Sequence, residues 1–173
     1  MTVVATADDF EPVSRTFAAQ GLNLHYLDWG NAEAPLLVLL HGSRDHARSW
    51  DWTARALRHD WHVVAPDLRG HGDSDWSPDG AYLTAYHALD LAGLIESLGA
   101  RQLRFVAHSF GGAVSSYFTT QHPERVERLV IIGSAVQFRL KWTGRALLRL
   151  PAPLLRVVRR VVPLARQYPP AHV

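Results

Sequence analysis

Four apolar runs, "PLLVLLHG", "WHVVAPDLRGHG", "LRFVAHS" and "VERLVIIGSAV", divide residues 35–136 into a repeating rhythm. The first has no polar residue until its terminal His-Gly, the pattern of a strand buried on both faces of a parallel sheet. Between the runs the period changes. Residues 47–57 carry a helical pattern, and Leu83, His87, Leu91, Leu94, Ile95 and Leu98 recur at helical spacing before Gly99. "GGAVSSYFTTQHPE" reads as a helix closed by Pro123. Upstream, "SRTFAAQ" and "LNLHYLDWG" alternate polar and apolar residues around Gly21, the signature of a hairpin. Strand–helix alternation of this kind predicts an α/β fold, a mostly parallel sheet of about six strands with helices on both faces.

The rhythm stops after residue 137. Residues 1–127 hold all 16 acidic residues and 9 Lys/Arg, a net of −7, whereas residues 128–173 hold 9 Lys/Arg and no acid, a net of +9. "RLKWTGRALLRL" and "APLLRVVRRVVPLARQ" are short basic amphipathic helix candidates separated by prolines. Residues 1–137 therefore read as one core and residues 138–173 as a distinct basic segment. Its arginines are interleaved with Leu and Val at helical spacing, which argues against nucleic acid as a partner and leaves a membrane-surface role disfavoured. The chain has no cysteine, so a disulfide framework and Cys-ligated metals are excluded, and no histidine pair has ligand spacing. The N-terminus lacks the basic and apolar regions of a signal peptide, and the apolar runs are too short to span a bilayer. A cytoplasmic protein without cofactor is expected.

The chemistry concentrates at "AHSFG", residues 107–111. A tight turn from strand into helix lifts its central side chain above the sheet and requires small neighbours, the physical content of the G-x-S-x-G elbow. Ala107 stands in place of the first glycine. Ser109 is thus a candidate nucleophile; the alternative is a helix N-cap, where serine is favoured. "LLHGS", residues 39–43, ends another buried strand. A turn at His41 and Gly42 can aim the Ser43 N–H at the elbow, where with the N–H of Phe110 it forms a candidate oxyanion hole. His41, Gly42 and His108 are candidate substrate-contacting positions. "DLRGHGDSD", residues 67–75, reads as a structural loop.

In this order, "LLHGS", "APDLRGHGDSD", "VAHSFGG" and "RVERLVIIGSA", the chain resembles the α/β-hydrolase fold family from about Thr16 to Val136. The resemblance implies a cofactor-free hydrolase such as an esterase, lipase or carbon–carbon bond hydrolase. Serine at the elbow disfavours the family's epoxide hydrolases and haloalkane dehalogenases, whose ester intermediate needs a carboxylate. It also implies a helical lid after the strand "LVIIGSA", so residues 138–173 read as the start of a lid over an acyl pocket.

The family's chain order is Ser, then Asp or Glu, then His. No acid follows Glu127, and His172 is the one histidine after His122. The chain therefore reads as the N-terminal portion of a serine hydrolase acting on ester-like acyl substrates through an acyl-enzyme. It lacks the triad acid and histidine, so Ser109 is expected to be unreactive in this chain alone. Its last core strand is expected to be an open edge, which favours self-association. The alternative is a non-catalytic protein that uses a hydrolase-like pocket to bind a ligand or partner.

Overall fold

The computed structural model describes residues 10–134. Strands β1 (Val13–Ala19) and β2 (Leu22–Asp28) form the expected hairpin, paired antiparallel from Val13↔Asp28 to Ala19↔Leu22. Gln20 and Gly21 turn the chain with φ of 48° and 76°. Two consecutive positive values suit the twist of a two-residue hairpin loop, and glycine supplies the second without strain.

The remaining strands are β3 (Leu36–Leu40), β4 (His62–Pro66), β5 (Leu103–His108) and β6 (Val126–Ile132). The sheet runs β1-β2-β4-β3-β5-β6, with β1, β2 and β4 joined antiparallel and β4, β3, β5 and β6 parallel. Leaving β3, the chain turns to one side to build β4, then crosses to the other side to build β5. The order reverses at β3, and a crevice opens beyond the carboxyl ends of β3 and β5, where open α/β sheets bind ligands.

Alternate residues of β3 serve two cores. Leu36, Val38 and Leu40 pack on the face covered by helices α2 (Thr84–Ser97) and α3 (Phe110–Gln121), with Leu91, Leu94, Val114 and Phe118. Leu37 and Leu39 pack on the opposite face with Ala47, from the 3₁₀ turn Ala47–Trp50, and Ala54, from helix α1 (Asp51–Leu57). This explains why the run lacks polar residues: each face needs an apolar side chain. Truncating a fully buried leucine such as Leu94 to alanine costs about 2–5 kcal/mol.

Strand β6 stands at the edge of the sheet, as expected for the last core strand. It is the outermost strand among the described residues, and Val130 and Ile132 are 51% and 48% exposed. The boundary expected at residue 137 and the lid expected over residues 138–173 lie outside the described residues.

Candidate active site

Ser109 occupies the turn between β5 and α3 with φ 50° and ψ −115°, a conformation that L-residues other than glycine rarely adopt. Its N–H donates to the Ile132 carbonyl at the end of β6 (2.9 Å), and its carbonyl accepts from the Gly112 N–H (3.0 Å). An N-capping serine normally has extended backbone and accepts an amide proton on its hydroxyl. Ser109 does neither: its side chain makes no capping hydrogen bond and is half-buried.

Two glycines make this turn possible. A Cβ on Gly111 would lie 2.5 Å from the His41 carbonyl oxygen and 2.8 Å from that of Leu40, so α3 starts in direct contact with the end of β3. A Cβ on Gly42 would lie 3.0 Å from the Ser109 Cβ and 3.1 Å from His108 Nδ1. The backbone after β3 thus passes directly beside Ser109, and Ser43, the next residue, is exposed.

His41 differs from its reading as a substrate contact. It is wholly buried; its Nδ1–H donates to the Gly42 carbonyl (2.7 Å) and its Nε2 accepts the Leu68 N–H (3.0 Å). Burial holds its pKa below the ordinary histidine value. With its lone pair occupied, His41 fixes the turn and offers no base to Ser109. His108 is exposed, and its ring lies against Gly42 and Gly133.

Beside the elbow lies an open cavity of about 500 Å³, lined by Arg44, His71, Trp76, Tyr82, His87 and Phe110. His87 is the polar member of the apolar helical stripe of α2. It is 2% exposed, stacks edge-on against Phe110 with ring centres 5.0 Å apart, and leaves Nδ1 without a hydrogen-bond partner. Burial, reinforced by the Arg69 charge, lowers its pKa to about 4, so the ring is neutral at pH 7.

The loop after β4 is structural, as expected. Arg69 and Asp90 form a buried bidentate pair at 2.6 Å that ties the loop to α2. Asp67 Oδ1 accepts the Ala47 N–H (2.6 Å), while Oδ2 accepts His25 Nδ1–H (2.7 Å) and the Asp73 N–H (3.1 Å). No sequence motif singles out His25, because its partners depend on strand register. His25, Asp67 and Asp73 bring potential metal-ligating atoms within 4.8 Å of one another. The Asp67 oxygens already accept three N–H groups, and His25 is engaged at both ring nitrogens, so both are partnered within the protein.

Crevice, elbow and strand order define an α/β hydrolase core. A family model described as alpha/beta hydrolase fold matches residues 35–161, and the chain belongs to that family. An uncharacterized protein of Mycobacterium tuberculosis is 33% identical over 142 residues, 74% of this chain and 41% of that protein. Epoxide hydrolase 2 of Siraitia grosvenorii is 36% identical over 117 residues, 66% and 36% of the two chains. Among solved structures, the 2-hydroxy-6-oxo-6-phenylhexa-2,4-dienoate hydrolase of Rhodococcus superposes with a TM-score of 0.67 at 30% identity, covering 72% of this chain and 47% of that one. The chain spans about two-fifths of the length of the curated relatives it matches. No helix among the described residues is long and apolar enough to cross a membrane.

Proposed function

We propose that Ser109 is the nucleophile of a hydrolase that acts on ester-like acyl substrates through an acyl-enzyme. The observation that carries this reading is the backbone of Ser109: a costly positive φ, with the hydroxyl uncommitted to the helix. In the proposed reaction Ser109 Oγ attacks the acyl carbon and gives up its proton to a histidine base. The N–H groups of Ser43 and Phe110 receive the charge that develops on the carbonyl oxygen. The leaving alkoxide departs with that proton, and water then releases the acid. The chain spans about two-fifths of the curated relatives it matches, and the histidine base and its acid are proposed to lie in the portion those relatives add. The cavity beside Phe110 takes the acyl group, with neutral His87 in its wall.

Serine in place of a carboxylate separates this chain from an epoxide-opening mechanism, although several relatives are named for epoxides. The test is substrate choice. Expressed with its complete coding sequence, the protein should hydrolyse a p-nitrophenyl ester with a burst of nitrophenol and leave styrene oxide unopened. Ser109→Ala should lower ester turnover on the order of 10⁶-fold, the scale seen when a triad nucleophile is removed. Epoxide opening without ester hydrolysis, or ester turnover untouched by Ser109→Ala, would overturn the proposal.

A further inference from the structure

A second serine, remote in sequence from the elbow, is wired to an imidazole and a carboxylate. Ser14 on β1 and His25 on β2 are diagonal neighbours across the hairpin, since Ser14 opposes Leu27 and His25 opposes Thr16. Ser14 Oγ lies 2.8 Å from His25 Nε2, and His25 Nδ1 lies 2.7 Å from Asp67 Oδ2.

The proton positions follow from the partners. An ionised carboxylate only accepts, so Asp67 places the ring proton on Nδ1 and leaves the Nε2 lone pair to receive the Ser14 O–H. Each member is held in place. Asp67 is 4% exposed and bound by the Ala47 and Asp73 amides. The His25 N–H donates to Ser74 Oγ (2.9 Å), and its carbonyl accepts the Asp67 N–H (3.0 Å). Ser14 itself is exposed, and the three side chains line a cavity of about 280 Å³ with Leu27, His46 and Arg48. An oriented carboxylate, an imidazole of fixed tautomer and an accessible hydroxyl are the parts that activate a serine.

We infer that Ser14 is a second nucleophilic serine of this protein, one that takes small activated acyl donors. Ser14 Oγ forms a bond to the acyl carbon as its proton passes to His25 Nε2. The bond to the leaving phenolate breaks, the phenolate takes the electron pair, and the imidazolium returns the proton to solvent. The product is one ester at Ser14 and one released phenol. Arg48, the cation of this cavity, is bound to Glu11 and Asp51, so the site has no free cation aimed at a developing oxyanion. A single acylation with slow release is therefore expected, not rapid turnover.

The experiment treats the 173-residue chain with p-nitrophenyl acetate and follows acetylation of each serine by peptide mapping. Ser97, exposed and bonded through its hydroxyl to the Leu94 carbonyl, is the internal reference for a serine without an imidazole. Ser14 should acetylate on the order of 100-fold faster than Ser97, the low end of what a positioned base contributes. Ser14→Ala should remove that adduct and leave the thermal midpoint unchanged, and His25→Gln should bring Ser14 to the Ser97 rate. If His25→Gln fails to fold, the Ser14-to-Ser97 ratio in the parent chain decides. Equal rates at Ser14 and Ser97 would overturn the inference. Adducts at Ser109 are read on a separate peptide, so this result and that of the elbow proposal stand or fall independently.

Discussion

The Ser109 N–H donates to the Ile132 carbonyl at 2.9 Å, so the elbow is tied to the end of a strand that follows it by 17 residues in the chain. That bond fixes the amide of a residue whose φ of 50° is unfavourable for any side chain. Ser109→Gly should therefore raise stability by about 1 kcal/mol, because glycine adopts this conformation without a Cβ penalty. Ser109→Ala keeps the Cβ and should give no such gain. Urea denaturation of the two variants separates the outcomes.

The glycines of the elbow should differ in tolerance. Gly111→Ala places a methyl 2.5 Å from the His41 carbonyl oxygen, against backbone that cannot yield. A loss of about 1–3 kcal/mol or more is expected, as for overpacking in a core. Gly42→Ala meets Ser109 Cβ at 3.0 Å and the His108 ring at 3.1 Å, and the exposed ring can move. Its stability cost should be smaller, while its effect on Ser109 chemistry should be larger. Melting temperatures give the first comparison and ester turnover the second.

Stability should fall as the pH drops below neutrality. His87 has its folded pKa depressed to about 4, whereas the unfolded chain takes up the proton near 6.5. Between these values the unfolded state binds more protons, so stability is full above pH 6.5 and is lost progressively toward pH 4. The contribution is about 3 kcal/mol. His41, also depressed by burial, adds a loss of the same sign. His87→Phe removes the unpartnered Nδ1 and should flatten the slope. Denaturation midpoints measured from pH 7 to pH 4.5 check this.

The exposed edge of β6 should govern how this chain behaves in solution. Val130 and Ile132 are about half exposed on the outermost described strand, an invitation to edge-to-edge pairing. We propose that the 173-residue chain self-associates and that Val130→Lys reduces this without lowering the thermal midpoint. Sedimentation velocity provides the test, and a monomer at all concentrations would contradict it.

The strands, the helices on both faces and the elbow were legible because each rests on local pattern: apolar runs, a helical period, a serine one residue before a Gly-Gly pair. The hairpin at Gly21 was legible for the same reason. What the pattern lacked was lateral order. That β5 lies beside β3 and not β4, which brings Gly42 against Ser109, depends on pairing across more than 60 residues. His41 read as a substrate contact because nothing local shows that Leu68 would occupy its lone pair. Ser14, His25 and Asp67 meet through hairpin register and a loop 42 residues after His25, so no motif announced them. The edge position of β6 was legible because the strand–helix rhythm stops after it.

An activated Ser109 carries a covalent adduct that can be mapped to one peptide. The protein expressed with its complete coding sequence is treated with a fluorophosphonate, digested and sequenced by mass spectrometry. A stoichiometric phosphonyl adduct is expected on Ser109, disappearing in Ser109→Ala together with ester hydrolysis. An unmodified Ser109 in an enzyme that still hydrolyses esters would contradict it.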